Sequence, residues 1–265
     1  MSPLASYPAE DTPRLPRRCH EGHVLRAFWG YREFLEGTEI REHPIALVAI
    51  VMKQIFGIDI PRTLEDVCQP RRLALLVYDM QAGIASQVKD GDVIVERVAR
   101  MLEAARAAGV RIIFTRHMNL PKELMGALAY RMAMAWQHVE DPEKVVPWFL
   151  RDSPGFALVP DLQPLPSEAI FDKIAMSTFE GTPLAITLRD CGVTAVAIAG
   201  IAMEVGIEPT ARHAADLGFI PVIIADACGT GHENAAKRSL DSLAFDSDSL
   251  ITDTSEFCRL LRAKR

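Results

Sequence analysis

Cysteine is sparse in this chain, and what there is lacks pairing: Cys19, Cys68, Cys191, Cys228 and Cys258 are scattered, odd in number and never spaced C-x-x-C. That pattern argues against a disulfide framework and a cysteine-built zinc site, and it predicts reduced thiols in a cytoplasmic protein. Runs of Lys or Arg are also missing. With 29 basic and 35 acidic residues and a formal charge of −6, the chain offers no basic field or phosphate track, which excludes a nucleic-acid partner. A small-molecule substrate can still be anionic, because local arginines decide that. No apolar stretch is long enough to cross a bilayer, so no membrane partner is expected. The most apolar early run, PIALVAIVMKQIFGIDI from Pro44, is interrupted by Lys53 and reads as a buried helix or a dimer-contact helix. MSPLASYPAEDTPRLPRR lacks the apolar core of a signal peptide. Neither GxGxxG after the first core strand nor HxH or HExxH spacing occurs, so neither a nicotinamide nor a metal is expected. No cofactor is assigned.

What is present is an ordinary globular composition. At 265 residues, 49% hydrophobic and 24% charged, the chain suits one large α/β domain, or a domain of about 190 residues with an extension. Residues 1–18 hold four prolines and read as a loosely attached tail, and His20 to Phe56 is helical in pattern. Asp59 to Arg72 reads as a connection. This places residues 1–70 as a tail and helical extension and residues 71–265 as the main domain. LALLVYDM, from Leu73, is a continuous apolar strand of the kind covered on both faces. Residues 92–108 have a helical apolar period and stop at Gly109. VRIIFT, VTAVAIAG and FIPVIIADA supply further strands, with helices over 181–191, from Pro209 to Gly218, and over 233–244. Strands alternating with helices imply a parallel sheet with right-handed crossovers.

Candidate chemistry gathers at strand ends. Asp79 ends the first core strand, where a carboxylate points into the crevice at the sheet's carboxyl edge; a turn or N-cap aspartate is the competing reading. Arg116, in IIFTRHMN, can bind a substrate carboxylate bidentately or form a structural ion pair. Cys191 and Cys228 read as small buried residues, Cys228 being the nearer to the crevice side. From Pro121 to Val139 the Met-rich segment has helical spacing, so most of it packs, while Trp136 or Arg131 can line a pocket. The run Ala199 to Arg212, AGIAMEVGIEPTAR, is a strand, a turn and a helix start. There the backbone N–H groups favour developing negative charge.

Together, VYDMQ around Asp79, FDKIAMSTFEGTPL around Lys173 and AGIAMEVGIEPTAR make the chain resemble the isochorismatase-like, or cysteine hydrolase, superfamily over residues 73–257. The resemblance implies a three-layer α/β/α sandwich with a mainly parallel central sheet and a hydrolase activity on a small metabolite. It assigns Asp79 as general acid or base, Gln81 as completing its motif, and Lys173 as the catalytic lysine; Phe179 then covers the substrate. It also places Met203 at an oxyanion pocket formed around a cis peptide at Ala202–Met203. In the family's amidases a cysteine stands six residues after the strand-closing glycine; here that glycine is Gly200 and the sixth residue is Gly206. Covalent thiol catalysis from that position is therefore closed unless another nucleophile substitutes. A branch of the family with glycine there cleaves a vinyl ether to release pyruvate, which makes Asp79 the proton donor and is the leading expectation. The alternatives are an amide or ureide hydrolase in which Asp79 activates water, and a silent metabolite-binding member. Nicotinamidase-like relatives bind a metal through Asp-x-His and a second His. Beside His117 this chain has neither the Asp nor the second His. The resemblance implies a homodimer or homotetramer.

Overall fold

The computed structural model describes residues 53–264, which belong to one compact unit. The tail over residues 1–18, most of the helical pattern from His20 and the larger part of the apolar stretch from Pro44 lie outside the described residues. The end of that stretch corrects the helical reading. Lys53–Ile55 (β1) and Ile58–Ile60 (β2) pair antiparallel as a hairpin. Its two-residue turn, Phe56–Gly57, has positive φ at both positions, the geometry that matches strand twist in a tight hairpin. Next comes Leu64–Val67 (α1), closed by a capping box between Thr63 and Asp66. Val67 and the following Cys68 pack into the main core, so the unit reaches upstream of residue 71.

The principal sheet has six strands: Leu73–Tyr78 (β3), Arg111–His117 (β4), Ala169–Lys173 (β5), Ala195–Ile201 (β6), Ile220–Gly229 (β7) and Leu250–Thr252 (β8). They lie in the order β5-β4-β3-β6-β7-β8, every neighbouring pair parallel. The connecting helices are Ala82–Ala85 (α2), Gly91–Ala108 (α3), Ala127–Gln137 (α4), Leu184–Asp190 (α5), Glu208–Asp216 (α6), Glu233–Asp246 (α7) and Thr254–Arg262 (α8). Strands β5 and β8 escape the sequence reading: each is short and sits at an edge, and β5 is only partly buried, so neither carries a long apolar run.

Period-two alternation divides the interior into two cores. Leu73, Leu75 and Val77 of β3 join Ala197 and Ile224 against α3 and α8, where Val98, Met101 and Phe257 are buried. Ala74, Leu76 and Tyr78 face the other way, onto Leu184, Ala211 and Leu243 from α5, α6 and α7. This is a parallel sheet between two helical layers. From β3 the chain winds outward through β4 and β5, then returns to β6 on the opposite side of β3. The strand order therefore reverses between β3 and β6, and open α/β sheets bind ligands at the carboxyl ends of strands at such a point.

Candidate active site

Asp79 follows the last residue of β3 and adopts φ +46°, a left-handed conformation that Asp tolerates better than most residues. Its side chain is buried and reaches Lys173, the last residue of β5, at 2.7 Å between Oδ2 and Nζ. On the other side Thr115 of β4 accepts the Asp79 backbone N–H at 3.1 Å and donates its own proton to Oδ1 at 2.6 Å. Lys173 Nζ also donates to Tyr78 Oη at 2.9 Å and to the Ala175 carbonyl at 3.2 Å, and it lies 4.3 Å from the Tyr78 ring centroid. Burial lowers the Lys173 pKa from its ordinary value, and the Asp79 carboxylate opposes that shift. Each charge is the other's compensation, since an unpaired buried ion is costly.

Tyr78 is the residue that sequence reasoning missed. Its hydroxyl donates to the Met176 carbonyl at 2.6 Å, and burial, helped by the Asp79 charge, pushes its pKa well above the ordinary value. It stays a phenol. A Cβ built on Gly206 would lie 1.7 Å from Tyr78 Oη and 2.3 Å from Cζ, so the tyrosine occupies the volume into which a residue-206 side chain would project. The apolar strand context hid this, because a tyrosine at the end of LALLVY reads as core. Gly200 is constrained independently: it has φ +136°, and a Cβ there would meet the Tyr78 carbonyl oxygen at 2.0 Å. The cis peptide falls at Ile201–Ala202, one bond before the expected Ala202–Met203. It leads into a wide helical turn, Met203–Ile207, that runs on into α6.

The other expected site residues are placed differently. Gln81 is fully buried and holds backbone: its Nε2 donates to the carbonyls of His117 and Phe156, and its Oε1 accepts the His117 N–H. Arg116 alternates with Thr115 and His117 along β4. It makes a bidentate pair with Asp172 of β5 at 2.7 and 3.1 Å and sits over the Phe156 ring. Its guanidinium is thus taken by a structural partner, the other of the two readings. Phe179 stacks on Phe219 with centroids 5.7 Å apart, and Met203 is buried in the same core. Glu204 accepts the N–H groups of Gly231 and His232, tying the turn to the start of α7. Burial raises the Cys228 thiol pKa, which disfavours its thiolate.

A cavity of about 270 Å³ is lined by residues that follow Lys173 in the chain, Ile174 and Met176, though not by Lys173 or Tyr78 themselves. Helix α4 walls it with Leu128, Ala129, Met132, Ala133 and Trp136, one face of the helix, whereas Arg131 is exposed. His117 also lines it, with Ile174 and Met176. His117 is 8% exposed, and its Nδ1 is enclosed without a hydrogen-bond partner. Burial first, and the Lys173 charge second, lower its pKa to about 4, so the ring is neutral at pH 7. A larger cavity of about 710 Å³ lies at the opposite, amino edge of the sheet, among Ile58, Arg72, Ala195 and Ile220, away from this chemistry. Among the described residues no group of three His, Cys, Asp or Glu side chains could hold a metal ion, and no helix is long and apolar enough to cross a membrane.

The chain is similar to several known proteins. The ureidoacrylate amidohydrolase RutB of Serratia proteamaculans is 26% identical over 212 residues, 73% of this chain and 84% of the relative. RutB of Methylobacterium radiotolerans is 29% identical over 64% of this chain and 72% of its own length. Among solved structures, a cysteine hydrolase from Pseudomonas syringae pv. phaseolicola superposes with a TM-score of 0.63 at 25% identity, over 74% of this chain and 95% of that one. An isochorismatase family protein from Burkholderia thailandensis gives 0.59 at 26% identity, over 72% and 96%. The isochorismatase domain model matches residues 73–255, from the first residue of β3 into α8, and so takes in every strand that carries Asp79, Lys173 and the Gly206 turn. The chain belongs to the isochorismatase family of hydrolases.

Proposed function

We propose that this protein hydrolyses a carbon–nitrogen bond, an amide or a ureide, with Asp79 as the general base on water and no covalent intermediate. The observation that carries this reading is the Asp79 carboxylate, whose two oxygens each accept a proton donor, from Lys173 and from Thr115. Both oxygens therefore act as acceptors, the hydrogen-bonding role that a general base plays. Vinyl-ether cleavage instead asks Asp79 to donate a proton, whereas both of its oxygens here are engaged as acceptors. The RutB relatives are named for amide chemistry and support the same side.

In this mechanism Asp79 takes a proton from water as the water oxygen bonds to the substrate carbonyl carbon. The carbonyl electron pair moves to oxygen, where Lys173 and the first-turn N–H groups after Ala202 stabilise the negative charge. Collapse expels the nitrogen, which takes the proton back from Asp79. A primary amide yields a carboxylic acid and ammonia; a ureide yields a carbamate and ammonia. Tyr78, filling the space beside Gly206, leaves no room there for a nucleophilic side chain.

The test is ammonia release from a panel of primary amides and ureides, with pyruvate release from isochorismate measured in parallel. Ammonia release by the wild type is expected to fall by at least about a hundredfold in Asp79→Asn and in Lys173→Met, the range of a lost acid–base group. Pyruvate without ammonia would overturn the reading.

A further inference from the structure

Asp79, Lys173 and Tyr78 are almost closed to solvent, at 3%, 3% and 2% exposure, and none of them lines the cavity under α4. One stretch of chain touches both sides of that separation. Residues 174–176 follow Lys173 without regular secondary structure. Through Ile174 and Met176 the stretch lines the cavity, and Ile174 is itself exposed. Its backbone is fastened to the buried site: the Ala175 carbonyl accepts Lys173 Nζ at 3.2 Å, and the Met176 carbonyl accepts Tyr78 Oη at 2.6 Å. Among the described residues, the N–H groups of residues 174–177 donate no hydrogen bond to another backbone group. The stretch is a strap held by two carbonyls, and segments with so few backbone hydrogen bonds open locally at low free energy.

We propose that residues 174–176 form a gate over the Asp79–Lys173 pair, and that Tyr78 is the positioning residue that latches it. The proposal rests on the site proposed above and supplies the route by which a substrate reaches it. When the Tyr78–Met176 hydrogen bond breaks, the strap lifts and the cavity under α4 becomes continuous with the pair. Lys173 is the weaker fastening. Its bond to Ala175 is the longest of its three, and it keeps Asp79 at 2.7 Å and Tyr78 at 2.9 Å when the strap withdraws. The Tyr78 hydroxyl gives its proton to Met176, so removing that hydroxyl leaves a carbonyl without its donor in the closed form and favours the open one. Tyr78 thereby has two separable parts: a ring that fills the space beside Gly206 and a hydroxyl that holds the strap.

The experiment is acetylation of the full chain with N-succinimidyl acetate, followed residue by residue by peptide mass spectrometry. Lys173 is expected to react far more slowly than Lys237, whose side chain is 73% exposed. Tyr78→Phe keeps the ring and removes only the hydroxyl, and it is expected to speed Lys173 acetylation by about tenfold, the effect of one unsatisfied carbonyl. Met101→Ala weakens the opposite core, away from the strap, and is expected to leave the Lys173 rate unchanged while the protein stays folded. Equal Lys173 rates in the wild type and Tyr78→Phe would overturn the proposal. So would a rise in Met101→Ala as large as that in Tyr78→Phe, because access would then come from global unfolding. For an amide that is turned over, KM should fall in Tyr78→Phe in step with the labelling, since the open form is more populated. A KM that rises instead, as a merely structural loss would cause, would overturn the gate. Labelling needs no turnover, so the two readings fail separately. Faster Lys173 acetylation in Tyr78→Phe with no ammonia from any amide keeps the gate and removes the proposed hydrolysis. Ammonia release with Lys173 labelling unmoved by that variant does the reverse.

Discussion

A neutral imidazole packed beside an ammonium is an unusual use of histidine, and it leaves a signature in stability. The His117 ring has a pKa of about 4 in the fold against 6.5 when free, chiefly because burial disfavours the imidazolium and secondarily because Lys173 repels it; Asp79 pulls the other way. As pH falls from 6.5 toward 4 the unfolded chain takes up a proton at this ring and the folded chain does not. Stability is then lost through that window and levels off below it, by about 3 kcal/mol in all from this one group. Urea titrations from pH 7 to pH 4 should show the decline, and His117→Phe, which cannot protonate, should flatten it. An unchanged slope in that variant would mean that carboxylates alone set the acid limb. His117 also marks a limit of reading residues one at a time. Its place after IIFTR suggested a metal ligand or nothing, because the sequence does not say that Gln81, thirty-six positions earlier, holds its backbone on both sides.

Where the end of β3 meets the turn after β6, two elements share one volume. Tyr78 fills the space beside Gly206, and neither residue is interpretable without the other. Adding a methyl at 206 is expected to destabilise by about 1–3 kcal/mol, the usual cost of overpacking. Tyr78→Ala alone also destabilises, by leaving a cavity. Combined with Gly206→Ala it should cost less than the sum of the two, with a coupling of about 1–3 kcal/mol in chemical denaturation. Strict additivity would show that the two positions do not share space. At this scale much was legible beforehand. The continuous apolar runs at 73–78 and 195–201 declared buried parallel strands, and Gly109 and Gly218 marked helix ends. Partial burial hid β5, so the motif alone pointed to Lys173, and only the fold shows that it closes a strand and pairs with Asp79. The apolar content of residues 53–60 suggested a helix, yet the positive φ values at Phe56 and Gly57 belong to a hairpin turn, which apolar content does not encode.

Across the whole molecule, topology explains why residues scattered over 94 positions from Asp79 to Lys173 converge. The reversal of strand order beside β3 opens a crevice at the carboxyl edge, and three neighbouring strands each deliver one partner there: Asp79 after β3, Thr115 on β4 and Lys173 on β5. The pair was legible in sequence through its motifs, whereas its surroundings were not. Arg116 read as a substrate clamp or an ion-pair partner and Gln81 as part of the Asp79 motif, and only the three-dimensional partners, Asp172 and the backbone of His117 and Phe156, show where they are held. The account's central claim is hydrolysis by water that Asp79 activates, with no protein atom bonded to the substrate. Its most direct test is intact-mass spectrometry of the protein quenched during steady ammonia release. The expected result is turnover with the protein mass unchanged; an adduct carrying the substrate's acyl or carbamoyl group would contradict it.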